Sequence, residues 1–151
     1  MFKRFVILSL LFSSCGMAAE PALLGVWATQ KKEKNATIKI ERCAADATKF
    51  CGKIIGLQRP TEEDGSPRLD KHNKDENLRG RPLMDLEMLS NFTQADESSW
   101  TNGIIYNPED GDTYSCTIDF AKEDGKDYLD VRGYVGIELF GKTQRWVRTG
   151  E

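Results

Sequence analysis

Gly136-Ile137-Glu138-Leu139-Phe140-Gly141-Lys142-Thr143-Gln144-Arg145-Trp146-Val147-Arg148 is the stretch on which the fold turns. Its first eight residues satisfy the phosphate-loop pattern G-x-x-x-x-G-K-[ST] letter for letter. Such a loop must feed a helix whose N-terminal amides face the phosphates. Only residues 144–151 follow, and Gln144-Arg145-Trp146-Val147-Arg148 reads as a strand. The centre of the loop is apolar rather than glycine-rich, and no later βα unit supplies a magnesium-binding aspartate. We therefore read the match as coincidence, and the stretch as a loop entering a closing strand.

Working back from there, the chain is a succession of period-two segments. They cover residues 25–29, 36–41, 52–58, 103–106, 113–120, 128–135 and 143–148. Residues 36–41 point Ile38 and Ile40 inward, and 113–120 set Tyr114, Cys116, Ile118 and Phe120 on one face. Asn107-Pro108-Glu109-Asp110-Gly111 and Glu123-Asp124-Gly125-Lys126 carry hairpin chemistry. Consecutive antiparallel strands at this spacing predict an all-β fold, a small closed or nearly closed barrel of about 7–8 strands. Closure brings the first and last strands together, so Arg148 would stack over Trp27 and plug one end. The plain alternative is that Trp27 and Trp146 are two ordinary core residues.

Residues 59–102 break the pattern with a polar loop containing Pro60, Gly65, Pro67, Gly80 and Pro82. The spacing of Leu83, Leu86 and Leu89 after Pro82 predicts one short amphipathic helix. A connection this long is expected to be packed down or functional.

The beginning of the chain reads as a secretory signal over residues 1–19: Lys3 and Arg4, an apolar run from Phe5 to Phe12, then small residues up to Ala18 and Ala19. The expected single domain is residues 20–151. Ser13-Ser14-Cys15-Gly16 offers the competing reading of a lipoprotein box acylated at Cys15, the one route by which the sequence suggests a membrane anchor. Either route exports the protein, and the form of the signal suits a bacterial periplasm or secretion.

Cys43 and Cys51 lie eight positions apart at the edges of strand-like runs. In an oxidising compartment they read as a disulfide, worth roughly 2–3 kcal/mol by the chain-entropy argument. A metal or redox pair is the alternative, but the spacing is not C-x-x-C and His72 is the chain's one histidine. Cys116 reads as a small buried hydrophobe.

Charge narrows the partners. Without Lys3 and Arg4 the chain keeps 19 of its 21 basic residues against 24 acidic ones, a net charge of −5, which disfavours nucleic acid. No nucleophile elbow is present, and any Ser or Cys triad would have to use His72. Asp70-Lys71-His72-Asn73-Lys74-Asp75 puts His and Lys where a calcium loop needs oxygen ligands. No catalytic residue, metal set or cofactor is therefore assigned. Arg79-Gly80-Arg81 suits an anion, with loop-anchoring salt bridges as the alternative.

Taken together, these residues resemble a known family. Gly25-Val26-Trp27, Cys51-Gly52-Lys53-Ile54, Asp70-x-x-Asn73, Leu78-Arg79-x-Arg81-Pro82-Leu83, Tyr106-Asn107-Pro108-Glu109-Asp110-Gly111-x-x-Tyr114, Val131-Arg132-Gly133-Tyr134 and residues 143–148 are similar to the bacterial family called domain of unknown function 2147. The resemblance implies an exported, lipocalin-like barrel whose biochemical role is not established. Asp85 stands where the family pattern implies glycine, and the segment between Cys43 and Cys51 is longer than the pattern implies.

The reading that follows is a binding protein rather than an enzyme. A small apolar or amphipathic ligand would occupy the barrel, with Leu83, Leu86, Leu89 and Tyr106 lining its mouth and Arg79 or Arg81 meeting a head group. The competing readings are an envelope interaction or stress module with a packed core, and a hydrolase of unrecognised kind.

Overall fold

Alternation of apolar and polar residues gives each strand one face for the core, and eight such strands bury that face most completely by rolling up. The computed structural model describes residues 19–32 and 34–150. Most of the expected leader, with Cys15, lies outside the described residues. Eight antiparallel strands run in order around a closed barrel: β1 (Gly25–Thr29), β2 (Ala36–Arg42), β3 (Phe50–Leu57), β4 (Glu87–Gln94), β5 (Ser99–Asn107), β6 (Asp112–Glu123), β7 (Lys126–Tyr134) and β8 (Lys142–Gly150). Each strand pairs with its sequence neighbour, and β1 pairs with β8, setting Trp27 opposite Arg148 and Thr29 opposite Trp146. Closure leaves no unpaired edge. Lys142 begins a strand rather than a helix, so the phosphate-loop match is a coincidence of letters.

The expected helix over 82–89 is absent. Leu83 N donates to Arg68 O, a turn follows with Asp85 at φ 64°, and the chain enters β4 at Glu87. The i, i+3 spacing that imitates a helix comes from a turn leading into a strand. Within β4, Asn91 at φ 65° breaks the alternation, so Leu89 and Phe92 both point into the core three residues apart. The helical structure among the described residues is two three-residue 3-10 turns, Glu76–Leu78 in the long loop and Glu138–Phe140 between β7 and β8. No helix among them is long and apolar enough to cross a membrane.

The two ends of the barrel differ. One carries the short connections 43–49, 95–98 and 124–125 together with the entry segment 20–24. It is solid: Leu23, Trp27, Phe50, Phe92, Trp100, Ile118 and Leu129 are almost wholly buried there. Phe50 meets Trp100 edge to face at 6.4 Å between centroids. Gly103 makes room for this packing, because a Cβ there would overlap the Phe92 ring. The Cys43–Cys51 disulfide ties off the β2–β3 connection at the same end.

Arg148 anchors the entry segment. Its guanidinium sits 4.2 Å from the centre of the Trp27 ring, donates to Leu24 O (2.8 Å) and Ala22 O (2.6 Å), and pairs with Asp127 at 3.0 Å. Trp27 in turn donates its indole N–H to Leu23 O at 2.9 Å. Gly25 is held to glycine by this arrangement, since it has φ 131° and a Cβ would strike the Arg148 guanidinium.

Candidate ligand-binding cavity

The other end of the barrel is hollow. At this end β7 contributes Gly133 where a bulkier residue would fill the space. A cavity of about 520 Å³ results, within the range of small-molecule sites. Trp146, fully buried, is among its lining residues, and its indole N–H has no acceptor among the described residues. Ile54, Leu57, Leu83, Met88, Ile105 and Val131 provide apolar wall. The connections 30–35, 58–86, 108–111 and 135–141 surround the opening.

The rim has a different chemistry. Lys31, Lys34, Arg59, Arg68, Lys71 and Lys142 line it against two carboxylates, Glu109 and Asp110. Lys31 and Lys34 both reach Glu109, at 3.3 and 3.4 Å. Partial burial pushes the Glu109 carboxyl up, but the two ammonium groups outweigh it and hold the carboxyl below its ordinary range. Arg68 and Lys71 share Glu62. Arg59 and Lys142 have no acidic partner among the described residues. Among the described residues, the mouth of an otherwise acidic protein is thus lined by more cations than carboxylates.

The long loop is latched beside this mouth by a buried carboxylate. Asp70 is fully buried and accepts from Tyr106 Oη (2.5 Å), Asn73 Nδ2 (2.8 Å) and Arg81 Nε (2.8 Å). Its backbone N–H donates to Arg81 O at 2.9 Å. The Arg81 guanidinium also lies 5.6 Å from the centre of the Tyr106 ring. Burial, then the hydrogen bond to Asp70, pushes the Tyr106 phenol up to about 12. The β5–β6 turn docks on the same loop through Gly111, at φ 73°, where a Cβ would overlap the His72 carbonyl.

The residues expected to line the site therefore part company. Leu83 and Tyr106 line the cavity. Leu86 and Leu89 lie within the solid core, and neither lines the cavity. Arg81 is turned onto Asp70, and Arg79 is held in the loop by Asn73 O (2.8 Å) and Glu76 (3.3 Å). The rim cations were missed because they come from two separate connections, 30–35 and 58–86, and from the start of β8. Their common location is legible only from strand parity: each connection that follows an odd-numbered strand opens at the same end. Asp70 and Asn73, quoted for their resemblance, are latch residues. Cys116 is buried and its thiol is pushed by that burial up to about 12, unsuited to nucleophilic work. Among the described residues no cluster of acidic, His and Cys side chains is arranged to hold a metal.

Comparison with known proteins agrees with the architecture. A solved structure described as protein HP1028 from the human pathogen Helicobacter pylori, belonging to the lipocalin family, superposes with a TM-score of 0.67 at 26% identity. The similarity covers 84% of this chain and 82% of that one. No curated protein matches. Residues 25–148, the barrel from β1 into β8, match the family described as uncharacterized protein conserved in bacteria, and the chain belongs to that family, DUF2147.

Proposed function

We propose that this protein binds a small amphipathic molecule in the open half of its barrel, without catalysis. The apolar body would lie along Ile54, Leu57, Leu83, Ile105 and Val131, and an anionic head would meet Lys142, Arg59 and the Lys31–Lys34 pair. The observation that carries this reading is the combination of a 520 Å³ apolar cavity with a cationic rim on a chain of net charge −3. Field lines from rim cations concentrate an anionic ligand at the opening, and the apolar wall supplies the affinity. The description of the Helicobacter protein as a lipocalin supports the same use of the fold. Tyr106 would serve from both sides, as wall and as the partner that holds the loop in place.

The disulfide between Cys43 and Cys51 points to an oxidising, extracytoplasmic setting. We place the protein in the bacterial periplasm, or secreted, after loss of residues 1–19; acylation at Cys15 would instead tether it to a membrane. Native mass spectrometry of protein purified from its own envelope tests the binding reading. A bound small molecule is expected, and Trp146 fluorescence should report a fatty acid more strongly than the matching alcohol. An empty barrel that binds neither would overturn the reading.

A further inference from the structure

The four most exposed large apolar side chains among the described residues sit together. Val135, Ile137, Leu139 and Phe140 leave between 62% and 77% of their surface in solvent, against 40% or less for every other exposed large apolar residue. All belong to the connection 135–141 between β7 and β8. A soluble protein seldom holds such a cluster out to water without a use for it.

Nor is this a loosely tethered loop. Arg132 reaches back from β7 and donates to Glu138 O (2.9 Å) and Leu139 O (3.0 Å). Thr117 donates to the Glu138 carboxylate at 3.0 Å. Gly136 at φ 74° turns the chain outward, and Gly141 N closes the 3-10 turn on Glu138 O. The framework spends its polar groups on fixing the backbone and leaves the apolar side chains facing outward. Val135 and Phe140 reach the cavity rim, with Lys142 at the base of the tip.

We propose that this tip is a lipid-docking surface, which enters the interfacial layer of an anionic bilayer and turns the cavity mouth toward the membrane. Three features select this occupant. The tip is a convex projection, which penetrates a fluid layer but needs a matching pocket on a rigid partner. Aliphatic residues with an aromatic, beside lysine, are the composition of interfacial segments. Lys142 and Arg59, which have no acidic partner among the described residues, complement anionic headgroups. A second copy is disfavoured, because a stable self-association buries roughly 800 Å² per partner, more than one narrow loop presents.

Flotation with phosphatidylglycerol-containing vesicles and with pure phosphatidylcholine vesicles tests this, using purified protein in a Cys15→Ser background so that no acyl anchor contributes. The wild type should float with the anionic vesicles. The Ile137→Ser/Leu139→Ser variant should partition about tenfold less or worse, since two large apolar side chains are withdrawn from the layer. Neither residue lines the cavity, so a fluorescent fatty acid should bind both proteins equally in solution. That binding also certifies the fold of the variant, with circular dichroism as the second check. Equal flotation of variant and wild type would overturn the proposal. So would absence of wild-type flotation, or a wild-type dimer in sedimentation that the variant loses. Flotation that depends on the tip, in a protein that ignores the fatty acid, would uphold docking and refute the ligand reading alone.

Discussion

Replacing Asp70 with alanine should unlatch the long loop before it unfolds the barrel. The carboxylate accepts three hydrogen bonds, from Tyr106, Asn73 and Arg81, in a fully buried position. Bonds to a charged group contribute about 1.5–3 kcal/mol each when desolvated. The Arg81 side chain is 37% exposed and recovers water when its partner goes, so its share falls toward the surface-pair range. Tyr106 and Asn73 keep most of their burial and lose an acceptor outright. The two buried bonds alone set a cost of about 3–6 kcal/mol. Because this cluster ties the middle of 58–86 to Tyr106 of β5, the cost should surface first as local opening there. Hydrogen exchange should accelerate at Asn73 and Leu83 while β6 and β7 remain protected, and the urea midpoint should fall. Asp70→Asn should lose less, since one carbonyl oxygen still receives the phenol. The same cluster sets an alkaline limit. The Tyr106 phenol, raised to about 12 from an ordinary 10, contributes stability that is intact below pH 10 and is lost as pH climbs toward 12. Tyr106→Phe should flatten that part of the pH profile. A fully stable Asp70→Ala protein with unaltered exchange in the loop would refute the latch.

Arg148→Met should cost about 2–4 kcal/mol, because it removes two hydrogen bonds to the entry segment and the cation over Trp27. Gly25→Ala displaces the same guanidinium, so in denaturation melts the double variant should be less destabilised than the sum of the two. Asp85→Gly should stabilise by about 0.5–1 kcal/mol: it relieves a left-handed backbone at φ 64°, and this gain exceeds the extra freedom glycine has when unfolded. A lower thermal midpoint would count against that account. Gly133→Leu should fill the cavity without disturbing the wall, since a Cβ there makes ordinary contact with Ile105 at 3.5 Å. Titration with a fluorescent fatty acid should show binding lost about tenfold or more in a protein that melts no lower than wild type.

Much of the barrel is legible along the chain because a strand with one buried face must alternate. Residues 36–41 and 128–135 do so cleanly, and they fall in β2 and β7, with Val135 one residue past the end of β7. The stretch 82–94 is the exception with a physical cause. The left-handed turn at Asp85 and the irregular entry into β4 set leucines 83, 86 and 89 three residues apart, and left-handed Asn91 extends that spacing to Phe92, so the stretch has the period of a helix. The same conformation explains why glycine was expected at position 85. Asn102, left-handed as well, likewise hides the first half of β5, so that strand was visible only from Gly103 onward. Half of the candidate site was beyond any local pattern. Leu83 and Tyr106 could be nominated from their surroundings, but the cations at Lys31, Arg59 and Lys142 converge only when the wall closes.

The division of the barrel into a filled end and an empty one separates what keeps the protein alive from what it can change. Tryptophans and phenylalanines at the filled end carry the cooperative stability, and each is committed by its neighbours. Residues around the opening face the empty space on one side, so substitutions there displace fewer packed neighbours than at the filled end. Descendants of this chain can therefore drift in ligand preference through positions such as Leu57, Met88 and Gly133 while inheriting an unaltered foundation. In a library randomised at the two ends, folded variants should survive mainly from the open one.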